Sequence, residues 1–310
     1  MNRNKQRIAI IGASGQVGSP ITSSLLKMGH DVLLIVRKIH DGNVNKLKEF
    51  QSRGAILKVV NNIDDSDELA SYLTGFDALV CAVPGNRELI KNSQERWLEA
   101  AVKAKVKRFV PTEFGCHTMG LDYGDGILFD CKKDFHKKLL ASGIGWTLIY
   151  NGLIYDYCLP NLRFFDKITT FGNMDIPIYT HDINDIGEFA ARTIVDERTI
   201  NKCVQMDYQS LSQNKMLKIL KESYLNFDFE YKHYSEEFIK NALHTSSDEI
   251  TAKKGLETDR ERWGINNVIY VINKLVSFND YTLKGTELYP DFKLSRSAEE
   301  AIKDSGFVFE

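Results

Sequence analysis

Gly12-Ala-Ser14-Gly15-Gln16-Val17-Gly18 spaces its three glycines by threes. Glycines so placed let the backbone turn sharply, approach a pyrophosphate closely and pack a helix tightly on a strand. The amides and dipole at the start of that helix favour phosphate charge. Further on, an apolar run ends at Val36, and Arg37-Lys38 follow with no Asp or Glu beside them. An acidic side chain at that place would take the ribose 2′-hydroxyl of NAD, whereas Arg accommodates the 2′-phosphate of NADP. Arg37, with Lys46 as a second cation, therefore predicts NADP(H) in preference to NAD(H). Asn62-Ile63-Asp64-Asp65 could line the adenine, and a helix cap explains Asp64 and Asp65 equally well.

The other reactive side chains carry weaker signals. His117, His136 and His181 are candidate acid–base groups or ligands, but the seven histidines show no H-x-x-x-H spacing, which argues against a metal. His136 is expected to face solvent or a cleft rim. Cys81, Cys116, Cys131, Cys158 and Cys203 are scattered without a C-x-x-C pair. Free thiols in a reducing, cytoplasmic compartment are expected, not disulfides or zinc. Lys132 and Lys133, read from the residues alone, are exposed charges on an amphipathic helix. Lys103, Lys105, Lys107 and Arg108 read as a solvated edge, because neither interleaved aromatics nor a basic overall charge supports nucleic-acid binding.

These residues must be positioned by a scaffold, and the first half of the chain predicts one. Strands are expected at Arg7–Ile11, Asp31–Val36, Ile56–Val60, Ala78–Val83, Arg108–Pro111 and Trp146–Ile149. Helical patterns fall between them at about Pro20–Met28, Ser66–Leu73, Ser93–Lys103 and Lys132–Ala141. Alternation of this kind predicts an α/β fold with a Rossmann-type, doubly wound parallel sheet. After Leu153 the pattern loosens into a smaller α+β cap, with helices expected at Glu236–Leu243 and Asp248–Arg262. The expected division is a dinucleotide-binding domain over 1–153, with returning segments near 178–207, and a discontinuous substrate-binding cap mainly over 154–310. Tyr155, Tyr157, Phe164, Phe165 and Phe171 could furnish an apolar pocket for a small molecule.

Length and charge bound the rest. With 310 residues the chain can bury a core without disulfides or metals, and a net charge of −2 gives no global pull towards nucleic acid or anionic membrane. Its apolar runs are far shorter than the roughly 18 residues that span a bilayer. The apolar stretch from Ile8 stops at Gly12, too short for a signal peptide.

Lys107-Arg108-Phe109-Val110-Pro111-Thr112-Glu113-Phe114-Gly115 adds a further pattern. It resembles the K-R-F-x-P-S-E-F-G signature of the isoflavone reductase-like group within the NmrA-like atypical short-chain dehydrogenases. The glycine-rich turn, Val36-Arg37, Ala82-Val83, Gly143-Ile144 with Trp146-Thr147, Asp185-Ile186-Gly187 and Leu288-Tyr289-Pro290-Asp291 extend the resemblance along the chain. It implies an NADPH-dependent reductase acting on a planar, often phenolic small molecule, as a monomer or homodimer. Ala82, Val83 and Pro84 would then border the cofactor. Thr112, Glu113, Phe114, Gly152, Leu153 and Ile154 would approach the nicotinamide and substrate, joined by Tyr157. The resemblance also implies a catalytic lysine in place of the usual tyrosine. That lysine maps to Lys132 or Lys133, as proton donor, base or oxyanion partner. The chain departs from the group's pattern at His136-Lys137, where an arginine pair is common, and at Tyr150-Asn151-Gly152-Leu153-Ile154. The alternative is an NmrA-like redox sensor that binds NADP without turnover.

Overall fold

Ile8 and Ile10 point into one core while Ala9 and Ile11 point into another, as alternation along a strand buried on both faces requires. This central strand belongs to the protein's computed structural model, which describes residues 5–162, 164–226, 228–249 and 258–304. In chain order the first half comprises β1 (Arg7–Ile11), α1 (Gly18–Lys27), β2 (Asp31–Val36), α2 (Asp41–Ser52), β3 (Ile56–Val59) and α3 (Ser66–Leu73). It continues with β4 (Ala78–Cys81), α4 (Glu95–Lys103), β5 (Arg108–Val110), α5 (Ile127–Ala141) and β6 (Gly145–Tyr150). The second half adds β7 (Leu153–Ile154), β8 (Ile168–Phe171), β9 (Ile178–His181), α6 (Ile183–Val195), β10 (Lys202–Gln205), β11 (Ser210–Leu211) and α7 (Gln213–Ser223). Then come β12 (Tyr231–Tyr234), α8 (Glu236–Thr245), α9 (Asp259–Tyr270), β13 (Thr282–Lys284), α10 (Gly285–Leu288) and α11 (Ala298–Lys303).

Eight strands form one parallel sheet in the order β13-β10-β6-β5-β4-β1-β2-β3. The order reverses between β1 and β4, where Ile8 lies between Val32 and Ala78. A crevice opens beyond the carboxyl ends of the strands at such a switch point. Ile21 and Leu25 of α1 and Ile186 and Phe189 of α6 cover one face. Trp97 and Ala100 of α4 and Phe135 and Leu139 of α5 cover the other. The fold is the doubly wound α/β architecture the sequence predicts. The chain returns to this sheet twice, through α6 and β10 and again through β13. Two small sheets, β11-β9-β7 and β12-β8, lie outside the large sheet, and Phe171, Ile178, Ile239, Val268 and Tyr270 share a separate core.

Several expectations are corrected. Helix α2 has no counterpart in the sequence reading, because only Leu47 and Phe50 anchor it among its apolar residues and its cap is a histidine. The His40 ring accepts from the Gly42 amide, and the Asn43 side chain closes the turn by accepting from the His40 amide. Helix α5 starts at Ile127, five residues before the expected Lys132, because Leu128, Phe129 and Cys131 are buried in its first turns. Helix α9 starts at Asp259, not Asp248, where Thr258 and Glu261 form a capping box. Residues 250–257 of that expected helix lie outside the described residues. Arg108 is not a solvated edge. It is 4% exposed, and its guanidinium donates to the carbonyls of Thr193, Ile194 and Asp196 at the end of α6.

Candidate functional site

The glycine-rich turn runs from the end of β1 into α1. Gly12 has φ +91°, and a Cβ there would collide with the Ala82 carbonyl at the end of β4. A Cβ on Gly18 would strike the Gly12 carbonyl, so the turn closes only with bare backbone. A cleft of about 230 Å³ opens beside it, lined by Gly12, Ser14, Arg37, Asp64, Val83 and Trp97, among others. Arg37 is exposed at the end of β2, and among the described residues no carboxylate pairs with it. His40 and Asn43 line the same cleft through the helix missed from sequence. A second cleft of about 350 Å³, lined by Ser14, Gly15, Gln16, Ser19, Lys46 and Asn184, also borders the turn. Lys46 there is paired with Glu49 at 2.9 Å.

The two readings of Asn62–Asp65 divide residue by residue. Asp65 caps α3 by accepting from the amides of Asp67 and Glu68. Ile63 and Asp64 line the first cleft. Asn62 is not brought to that cleft. Its side chain accepts from the Asp64 amide, and its own amide donates to Glu68, so it shapes the turn.

Beyond β4 the chain passes Ala82, Val83 and Pro84, and the Thr112 hydroxyl donates to the Val83 carbonyl at 2.5 Å. Gly85 comes next to Lys132. A Cβ on Gly85 would sit 3.7 Å from Lys132 Cε and 3.8 Å from Nζ. Lys132 is buried, and its Nζ donates to the Glu113 carbonyl at 3.1 Å and lies 3.5 Å from the Glu113 carboxylate. His136, one helical turn along α5, stands 2.9 Å from Glu113 Oε1, and Thr118 donates to Oε2 at 2.8 Å. Burial alone would raise the Glu113 carboxyl, but the Lys132 and His136 charges and the hydrogen bonds prevail and lower it to about 2. An ammonium has three donors, and Glu113 takes those aimed at its carbonyl and carboxylate, which leaves Lys132 capacity for a further acceptor.

This geometry separates the two lysines. Lys133 turns the other way, donating to the Leu121 carbonyl and lying over the Tyr123 ring. His136 does not face solvent. It is 4% exposed and belongs to the Glu113 cluster, a role signalled in sequence only by its four-residue spacing from Lys132. Glu113 and Thr112, expected to approach the nicotinamide and substrate, are buried and hydrogen-bonded to neighbouring protein groups. Phe114 is held at φ 34°, in the left-handed region, with its amide donating to the Ile149 carbonyl.

The chain after β6 reaches the same neighbourhood. The Gly152 amide donates to the Gly115 carbonyl, and Leu153 and Ile154 pair with Thr180 and His181. Tyr157 stacks on Phe164 with ring centroids 4.9 Å apart, and its hydroxyl lies 3.5 Å from Gln16 of the glycine-rich turn. Burial lowers His117 and His181 each to about 4, so both rings are uncharged at neutral pH. Among the described residues no group of three His, Cys, Asp or Glu side chains could hold a metal ion, and no helix is long and apolar enough to cross a membrane.

A doubly wound sheet, a glycine turn that admits no Cβ and a cation at the end of β2 define a Rossmann-type dinucleotide-binding protein. The sequence profile of the NmrA-like family matches residues 4–293, and the chain belongs to that family. A phenylcoumaran benzylic ether reductase of Ginkgo biloba is 27% identical, over 93% of this chain and 95% of its own. An isoflavone reductase of Pisum sativum is 26% identical, over 95% of this chain and 97% of its own. Leucoanthocyanidin reductase from Vitis vinifera, in a binary complex with NADPH, has the same fold. It superimposes with a TM-score of 0.81 at 20% identity, covering 98% of this chain and 100% of that one.

Proposed function

We propose that the protein is an NADPH-dependent reductase of the isoflavone reductase-like type, acting on a planar aromatic or conjugated small molecule. The observation that carries this reading is the buried Lys132 ammonium, set where the loop after β4 meets Glu113. Burying a cation costs several kcal/mol per ion before pairing, and a protein that only binds a dinucleotide has no chemical use for an ammonium at that place. The reductase names of the relatives and the NADPH held by leucoanthocyanidin reductase support the same class.

The turn from Gly12 to Gly18 would hold the pyrophosphate, and Arg37 with Lys38 the 2′-phosphate. Lys46 would join them on exchanging its Glu49 partner. When bound, NADPH supplies a hydride to the acceptor. Reduction of a conjugated acceptor leaves negative charge on an oxygen, and Lys132 Nζ would give that oxygen a proton or hold it as an ion pair. Tyr157 and Phe164 offer an aromatic face at the glycine-rich turn for a flat substrate.

The test is NADPH oxidation with aromatic enones, benzylic ethers and small aliphatic ketones. Turnover is expected with the aromatic or conjugated set. Activity confined to aliphatic ketones, or none with any acceptor, contradicts the assignment.

A further inference from the structure

Glu113, Lys132 and His136 form a charged cluster with side chains 1%, 7% and 5% exposed. Among the described residues, every other ionisable group facing it is kept uncharged. Burial pushes the thiols of Cys116, on the loop after β5, and Cys203, on β10, up to about 12, and that of Cys131 on α5 up to about 11. Burial also raises the Tyr150 hydroxyl of β6 and lowers His117 to about 4. On α5 itself, Lys133 donates to Leu121, Asp134 accepts from Tyr123 and Lys137 is exposed, so these point away. The net charge beside Lys132 is therefore set by three side chains.

An ionised carboxylate only accepts hydrogen bonds, so His136 Nε2 must carry the proton in its 2.9 Å contact with Glu113 Oε1. We propose that His136 is a positioning residue: by holding Oε1 it fixes the Glu113 carboxylate against Lys132, and so fixes the Lys132 ammonium in place. The proposal rests on the reading of Lys132 given above. Without that bond the carboxylate keeps only Thr118 and Lys132 as partners and can turn, carrying the ammonium with it.

The experiment uses the full chain with NADPH saturating and the aromatic or conjugated acceptor varied. His136→Leu, which removes the donor to Glu113, should lower kcat about tenfold with KM for NADPH unchanged, and His136→Gln, whose amide can donate, should recover most of that loss. Circular dichroism and NADPH titration check that both variants are folded. Wild-type kcat in His136→Leu, or an equal loss in both variants, overturns the proposal. Should Lys132→Met keep full turnover, the reading of Lys132 fails instead; a loss in Lys132→Met beside wild-type kcat in His136→Leu removes the positioning role alone.

Discussion

Lys132 Nζ lies 3.5 Å from the Glu113 carboxylate, and both side chains are shut away from water. A buried ion pair is tolerated when its remaining hydrogen bonds are met, and here Thr118 and His136 meet those of the carboxylate. Removing one partner leaves an uncompensated charge.

Glu113→Gln keeps the shape of the side chain and deletes its charge. It should destabilise the fold by about 3–5 kcal/mol, because the Lys132 ammonium is then buried beside a neutral amide. Turnover should fall more than NADPH affinity does. Urea unfolding measures the first effect and steady-state kinetics the second.

Arg37 is proposed to set the cofactor preference. One charge-assisted contact to the 2′-phosphate is worth about 1.5–3 kcal/mol, a preference of roughly 10- to 100-fold for NADPH over NADH. Arg37→Ala should remove most of that preference while leaving NADH binding unchanged. Titrating both cofactors into both proteins checks it, and equal affinities in the wild type would contradict it.

Acid should weaken the fold in two stages. His117 and His181, buried and lowered from 6.5 to about 4, take up protons in the unfolded chain before they do in the folded one. Stability present above about pH 6.5 is therefore lost as pH falls from there towards 4, about 3 kcal/mol for each histidine. Glu113, lowered from 4.5 to about 2, adds a further loss as pH falls below 4.5. Thermal melts between about pH 7.5 and 4.5 should show Tm dropping steadily. In His181→Gln the drop should be shallower.

The scaffold was legible where periodicity and burial agree. Strand β2 and helix α3 lie where the sequence places them, because a continuous apolar run and a capped amphipathic helix each specify one state. Helix α2 was not legible, since its cap is built from His40 and Asn43 and it buries few apolar residues. At the site, the glycine-rich turn and Arg37 could be read from local spacing. The partnership of Glu113 with Lys132 and His136 could not, because it joins the loop after β5 to the second and third turns of α5. Arg108 misled for the same reason. Its run of basic neighbours suggested solvent, whereas its partners are the last carbonyls of a helix more than eighty residues away.

The central claim is that Lys132, not Lys133, acts on the bound substrate. The most direct measurement is single-turnover NADPH oxidation by Lys132→Met and Lys133→Met, with cofactor affinity and circular dichroism recorded for both. Lys132→Met should bind NADPH as the wild type does and lose about 10²-fold or more in rate, while Lys133→Met stays within about threefold. Wild-type turnover in Lys132→Met, with the fold and cofactor affinity intact, would contradict the account.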